Sequence, residues 1–256
     1  MTYPSDLTDA QWTVIETLLP ADKARGRQRK YSRRELLNAI FYVNKTGCQW
    51  RCLPSYFPLW NSVYGYFRKL SNNKIFEIIN NILVSLERKR QGRFTNPSLI
   101  CIDSQSVKGD VNLKEKGLDG NKKVNGRKRH IAVDVLGLLI SCYTTAANVA
   151  DVVIGRKMLG EFSDKKKFPR LKKILVDRVY QGMEDPDGIK VEMPPSNNPK
   201  KKGFIPEWKR WVVERTFAWF YRQRRICREY EIETKYQNSM VLIASIRLLL
   251  NRFVTN

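Results

Sequence analysis

Residues 98–109 read SLICIDSQSVKG, and the order of residue types in that stretch decides the fold. Leu99, Ile100, Cys101 and Ile102 form a short apolar run of the kind a buried strand needs, and Asp103 closes it. An ionised carboxylate at the end of an apolar strand is costly unless it is paired or metal-bound. The arrangement recurs in KKILVDRVYQG (172–182), where Asp177 follows Ile174, Leu175 and Val176. Between the two, KRHIAVDV (128–135) and LGLLISCYTTA (136–146) read as strands flanking the tight turn VLGL. A helix is predicted over 151–162 with Asp151 as its N-cap, and IKVEM (189–193) is a further strand. Two closing helices are predicted over 207–230 and 236–253. Three strands, a helix, strands and flanking helices describe an α/β layered domain.

Upstream the periodicity is helical. Thr8 with Gln11 and Ser32 with Glu35 have the spacing of capping boxes. Each precedes an apolar helical stretch, Trp12, Ile15, Leu18 and Leu19 in one case and Leu36, Leu37, Ile40 and Phe41 in the other. After the aromatic connection CQWRCLPSYFP (48–58), Trp60, Val63, Tyr64 and Phe67 repeat at helical spacing, as do Ile75, Ile78, Ile79, Ile82, Leu83 and Leu86. Two helices on a short turn, with Tyr64, Arg68 and Lys69 nearby, fit a helix-turn-helix reader of the major groove or a small packing bundle. The charged stretch ERKRQGRFTNP (87–97) marks a domain boundary, giving an all-α unit over 1–95 and an α/β unit over 96–256.

The chain carries 47 Lys+Arg against 25 Asp+Glu over 256 residues, a formal charge of +22. Such a surplus suits a polyanionic partner. Two basic stretches, KEKGLDGNKKVNGRKRH (114–130) and PPSNNPKKKG (194–203), read as surface loops near that partner. No run of 18 apolar residues predicts a membrane span, and MTYPSDLTDAQW lacks a signal-peptide pattern. Five cysteines without disulfide-like spacing suit a reducing cytoplasm. Cys48 and Cys52 are a lone C-x3-C, which is short of the four ligands of a structural zinc site and reads as packing.

A third carboxylate stands out in RWVVERTFAWFYRQRR (210–225). Val213, Phe217 and Phe220 form a buried stripe, and Glu214, Ala218, Tyr221 and Arg225 the adjoining face. Read alone, Glu214 is an ion-pair partner of Arg210 one turn away. Read with Asp103 and Asp177 it completes a trio of hard oxygen ligands, enough for two Mg²⁺ ions that keep several waters. Two such ions about 3.5–4 Å apart activate an oxygen nucleophile and stabilise the leaving oxygen of a phosphodiester. Asp134 competes, but its place before VLGL gives it a turn-forming role. Asp110, Asp119, Asp164, Asp185 and Asp187 lie in polar stretches and are expected to be solvated. The aromatics Trp208, Trp211, Trp219 and Tyr221 are expected mostly in the core.

These residues resemble the insertion-sequence transposases of the RNase H-like DDE class, in the IS-four/IS-five grouping. The resemblance runs over residues 3–253. YPSDLTDAQWTVIETLLP and GCQWRCLPSYFPLWNSVYGYFRKL resemble the family's N-terminal helical segment. IDSQSVK and ILVDRVYQG resemble its first and second Asp motifs, and GNKKVNGRKRHIAVDVLGLL its second and third strands. RWVVERTFAWFYRQRRICREYE resembles its Glu helix and is the most specific match. The resemblance implies an RNase H-like mixed-sheet catalytic domain with flanking helices, preceded by an all-α domain. It assigns Asp103, Asp177 and Glu214 as catalytic, metal-binding residues for Mg²⁺, with Mn²⁺ able to substitute. It also implies double-stranded DNA partners (transposon ends and target), a homodimer in the DNA complex, and a bacterial cytoplasmic, nucleoid-associated setting. Lys122, Lys123, Arg127, Lys128, Arg129, Arg210, Arg222 and Arg225 are the expected DNA contacts. Arg178 and Val179 stand where the family usually has a small glycine-containing stretch, which predicts a tighter turn or a crowded site. In the wider superfamily signature Arg210 takes the Arg position, while Glu207 and Tyr221 stand where a Tyr and a Lys are usual. That departure leaves Arg222, Arg224 or Arg225 to supply the cation.

The alternative is a decayed or domesticated transposase that only binds DNA. A stand-alone RNase H-like nuclease is a third reading. A tyrosine recombinase is excluded, because His130 is followed by Ile-Ala-Val and not by the required Arg.

Overall fold

The structure, a computed structural model, describes residues 3–21, 29–183, 188–193 and 211–254. Four helices come first: α1 (Asp9–Glu16), α2 (Arg33–Thr46), α3 (Trp60–Asn72) and α4 (Ile75–Arg90). Both expected capping boxes form. Thr8 and Ser32 each accept from the N3 backbone, and Gln11 and Glu35 reach back to the cap. Helix α2 stops at Gly47, whose φ of 76° fits the left-handed C-cap that glycine supplies without a Cβ penalty.

The sheet is built from β1 (Leu99–Lys108), β2 (Gly117–Asp119), β3 (Val124–Asp134), β4 (Leu139–Ala146), β5 (Lys173–Leu175) and β6 (Lys190–Glu192). Its order is β4-β3-β1-β5-β6, with β2 also on β3. The first three long strands are antiparallel, whereas β5 and β6 run parallel to β1. This curled mixed sheet with flanking helices is the RNase H-like α/β architecture expected. Helix α5 (Asp151–Phe162) makes the crossover between β4 and β5, and α6 (Trp211–Phe220) and α7 (Thr234–Val254) close the chain. Asp151 is the first helical residue rather than the cap, which is Ala150.

Two apolar layers sandwich the sheet. One face, with Cys101, Ile131, Val133 and Leu175, packs on α6, α7 and the four N-terminal helices as one continuous core. The other, with Ile100, Ile102, Ala132 and Ile174, packs on Ile154, Met158, Leu159 and Phe162 of α5. Among the described residues, no helix is long and apolar enough to cross a membrane. All five cysteines are free. Cys52, expected to pack, is exposed.

Three expectations need correction. The stretch 114–130 is not a surface loop throughout, because β2 and the first half of β3 pair within it. Strand β3 is central, so β1 and β4 flank it along its length. At its start the backbones come so close that a Cβ on Gly126 would lie 2.1 Å from the Val107 carbonyl oxygen. The helix expected over 207–230 ends at Phe220, and a single 3-10 turn (Arg224–Ile226) follows. Tertiary partners claim the sequel: Arg225 leaves the α6 face and is buried against Glu231, with a bond to the Cys48 carbonyl oxygen. Asp119 is buried, not solvated. It accepts from the Ser106 hydroxyl and from the amides of Asn121 and Lys122. These bonds, the one from Ser106 foremost, hold its carboxyl below the usual carboxylate range.

Candidate functional site

Strands β1 and β5 run in parallel with Leu99 beside Lys173, Ile100 beside Ile174 and Cys101 beside Leu175. Continuing that register by two residues brings Asp103 level with Asp177. Neighbouring strands are about 4.8 Å apart. Side chains alternate, so both aspartates lie on the face of Cys101 and Leu175, the face toward α6. Both are half-buried. Each turns one carboxylate oxygen back on the chain: Asp103 Oδ1 accepts from Ser104 N at 2.7 Å and Asp177 Oδ1 from Arg178 N at 2.6 Å.

Glu214 lies on the exposed side of α6. The buried stripe of that helix is the one expected, with Val213, Phe217 and Phe220 in the core beside Val212 and Thr216. Glu214 and Tyr221 lie seven residues apart, about two turns on one side of the helix. The Tyr221 hydroxyl accepts from Gln105 Nε2 at 2.9 Å. Gln105 stands two residues beyond Asp103 on the same face of β1, so α6 is pinned over the strand that carries the first aspartate. The structure thus sets Asp103 and Asp177 each two residues past the last paired positions of two neighbouring parallel strands, with Glu214 on the exposed side of α6. Among the described residues, no three His, Cys, Asp or Glu side chains converge as a metal-holding group. The donor set is carboxylate oxygen, the chemistry a hard divalent cation such as Mg²⁺ or Mn²⁺ prefers.

Arg178 and Val179 do not crowd this edge. They form one 3-10 turn with Tyr180, their side chains are exposed, and neither has a positive φ that would demand glycine. The decayed-transposase alternative thereby loses the observation that favoured it. Tyr180 folds under the turn into the core, against Gly155 of α5. Burial, with Asp151, Asp103 and Asp177 nearby, pushes its phenol well above the ordinary value, so it stays neutral.

Asp134 has the turn-forming role expected. Oδ1 accepts from Leu136 N and Leu138 N, both at 2.9 Å, and Oδ2 is paired with Arg88. Asp110 and Asp164 also cap local turns, through Asn112 N and Lys166 N. Asp185 and Asp187 lie outside the described residues.

The expected DNA contacts divide. Lys122, Lys123 and Arg222 are exposed. Arg127, Lys128, Arg129 and Arg225 are not, and the expectation that they face DNA is corrected. Arg127 is 0% exposed and donates to the carbonyl oxygens of Lys114, Glu115, Glu231 and Ile232. Arg129 is 2% exposed, bonded to Ile226 O at 3.1 Å and to Glu229 Oε1 at 2.5 Å. Lys128 is held by Val149 O and Asp151 Oδ2. These side chains fasten the 226–232 segment and the start of α5 to the sheet. The sequence signal was there but ambiguous: Glu229 and Glu231 lie far along the chain, the first in a stretch read as helix and the second just past it. Arg210, Glu207 and Trp208 lie outside the described residues, as does the whole 194–203 stretch. Trp211 and Tyr221 are exposed, while Trp219 is half-buried. Arg215 lies between the two indoles, 4.2 Å from the Trp211 ring centre and 4.7 Å from that of Trp219.

His130 is structural. It is fully buried, with Nε2 3.1 Å from Thr145 Oγ1 and Nδ1 3.6 Å from Asp151 Oδ1. Burial pulls its pKa down to about 4, outweighing the upward pull of Asp151, and Lys128 and Lys122 act in the same direction as burial. The folded state keeps the ring neutral, whereas the unfolded chain takes up a proton near pH 6.5. This contribution is therefore complete above pH 6.5 and lost as pH falls toward 4, on the order of 3 kcal/mol. Urea denaturation of His130→Gln is expected to show a flatter stability profile over that window. An unchanged profile would mean that other groups govern it.

Residues 7–80 match the family described as "Putative transposase of IS4/5 family", and residues 95–203 match "Transposase DDE domain". The second match takes in Asp103 and Asp177 and ends before Glu214. A crystal structure of the Mos1 mariner paired end complex with Mn is 12% identical, covering 91% of this chain and 80% of that one, at a TM-score of 0.24. A Mos1 transposase paired-end complex with left transposon end is 13% identical, covering 84% and 63%, at a TM-score of 0.19. Likenesses this distant carry no argument by themselves. No curated protein matches the chain.

Proposed function

Because the chain belongs to the IS4/5-type DDE transposases, we propose that it binds the terminal inverted repeats of an insertion sequence and catalyses DNA strand cleavage and strand transfer. One observation carries this reading: the parallel β1–β5 pairing, which sets Asp103 and Asp177 each two residues beyond the paired Cys101 and Leu175 on neighbouring strands. A bound pair of Mg²⁺ or Mn²⁺ ions would supply an activated water and neutralise charge building up on the phosphate. Asp103 and Asp177 hold the cations on the sheet, and Glu214 contributes its carboxylate from α6. In the first step a water oxygen bonds to phosphorus and the 3′ oxygen leaves, freeing a 3′-OH. In the second that 3′-OH oxygen bonds to a target phosphorus and the target's own 3′ oxygen leaves, so no nucleotide cofactor is consumed.

The exposed cations Lys122, Lys123 and Arg222 hold backbone phosphates beside the carboxylates. Residues 1–95 supply end recognition through their helices and residues 96–256 supply the chemistry. Arg68 contributes less directly than its sequence position suggests, because its Nε donates to the Tyr236 hydroxyl of α7. Two ends must meet, so a homodimer forms on DNA, in a bacterial cytoplasm beside the nucleoid.

The test is a Mg²⁺-dependent cleavage and joining assay on the DNA ends flanking the protein's own gene, with Glu214→Gln in parallel. Wild type is expected to cut and join, and the variant to bind without cutting. Equal cutting by Glu214→Gln would remove Glu214 from the site. Tight wild-type binding with no metal-dependent cutting would sink the enzymatic reading.

A further inference from the structure

The end of the sheet opposite the aspartates carries a second concentration of positive charge, which the cleavage chemistry leaves unused. Lys165 and Lys166 follow α5, Arg170 and Lys172 lead into β5, and Lys89 and Arg93 lie at the end of α4; all six are exposed. The two segments are joined at the start of the sheet. Lys172 N and Lys173 N donate to Ser98 O at 3.0 and 3.2 Å, and the Arg170 guanidinium lies 3.5 Å from the centre of the Phe94 ring. Phe94 is 66% exposed, so that stack stands at the surface.

The charges here are unspent. Among the described residues, none of the six forms an ion pair. Asp164, the acid in the loop, uses Oδ1 on the amide of Lys166. Several other cations are consumed internally, as with Arg88 on Asp134, Arg129 on Glu229 and Arg225 on Glu231. A solvated loop of lysines would need neither convergence from two distant segments nor an arginine fixed on an exposed ring. Stacking fixes the plane of the guanidinium while leaving its rim of N–H donors for an acceptor, a geometry suited to phosphate.

We propose that this ridge grips the backbone phosphates of duplex DNA, without regard to sequence. The proposal rests on the transposase reading. From the first residue of β1 to Asp103 is four residues, about 13 Å at 3.3 Å each. The ridge lies beyond that first residue, so it holds DNA several base pairs away from the cut, or a second duplex.

The experiment measures the affinity of the full chain for two duplexes, one with its own end sequence and one scrambled, across a series of KCl concentrations. The combined variant Lys165→Gln, Lys166→Gln, Arg170→Gln and Lys172→Gln is expected to bind both more weakly. Its plot of log K against log salt should be shallower by about 3 to 4, at about 0.9 per lost phosphate contact. Cleavage at saturating DNA should stay near the wild-type rate. Lys89→Gln with Arg93→Gln, on the helical side of the ridge, should lower the slope by about 2. It serves as the independent reading if the loop variant melts early. Slopes equal to wild type in both variants overturn the ridge and leave the transposase reading standing. A loss confined to the end sequence overturns backbone recognition. Wild type that binds neither duplex overturns both readings together.

Discussion

Asp177→Asn is expected to lower metal-dependent strand cleavage by about 10³-fold, since losing a metal-binding carboxylate forfeits several kcal/mol of charge stabilisation. The fold should survive. The amide oxygen can still accept from Arg178 N, the bond that Asp177 Oδ1 makes at 2.6 Å, and the side chain keeps its volume. Asp103→Asn should behave alike, because both acids stand two residues past the last paired positions of neighbouring parallel strands. The double variant should be scarcely worse than either single one, as groups that act as a unit are not additive. Single-turnover cleavage of an end duplex with Mg²⁺, read beside an affinity measurement, separates the loss of chemistry from the loss of binding. Asp134→Asn is the control. Its carboxyl is buried in a turn and paired with Arg88, so its replacement strands the arginine and should lower stability. Cleavage by Asp177→Asn within tenfold of wild type would put the metal elsewhere.

The second large effect falls on stability. Arg129→Met strands Glu229, which is 0% exposed and bonded through Oε1 to Arg129 at 2.5 Å. Breaking one side of a buried pair costs about 3–5 kcal/mol, a large share of the roughly 5–15 kcal/mol that holds a typical domain. Replacing both partners with Met and Leu should recover much of it, since no uncompensated charge remains. The sign of the pH effect follows from Glu229. Burial raises its carboxyl and Arg129 pulls it back down. The folded pKa already lies above the unfolded one, and without the arginine it rises further. Stability is then fully present below the unfolded value and lost as pH climbs through the folded value, so the variant should do worst at neutral and higher pH. Urea denaturation at pH 5 and pH 8 reads this directly. The 226–232 segment that Arg129 fastens links α6 to α7, so activity should fall with the fold through the misplacement of Glu214. A variant of full stability with weakened DNA affinity would instead return Arg129 to the surface.

The elements that were legible are those with local causes. The capping boxes at Thr8 and Ser32 formed because the reciprocal bonds involve residues three apart. Helix α5 ran over the expected 151–162, and Asp134 took the turn role that its place before VLGL suggests. The apolar runs before Asp103 and Asp177 were legible as strands, though β1 runs on to Lys108 and β5 stops at Leu175. The misses share a different cause. Arg127, Lys128 and Arg129 read as a solvated basic run because their partners are carbonyl oxygens and acids from other segments, including residues about a hundred positions away. The α6 helix was drawn too long because apolar periodicity says nothing of Glu231, which claims Arg225.

The sequence alone determined most of the strands and helices, which carboxylates follow apolar runs, and the large positive charge, since each depends on neighbours along the chain or on composition. Only the tertiary structure decided that the strands leading to Asp103 and Asp177 are parallel neighbours, because register is a property of two strands brought together by a crossover. It alone decided which of the many cations are spent inside the protein and which stay exposed at the surface. Charge counts every arginine alike, whereas burial and pairing distinguish Arg129 in the core from Arg170 at the surface.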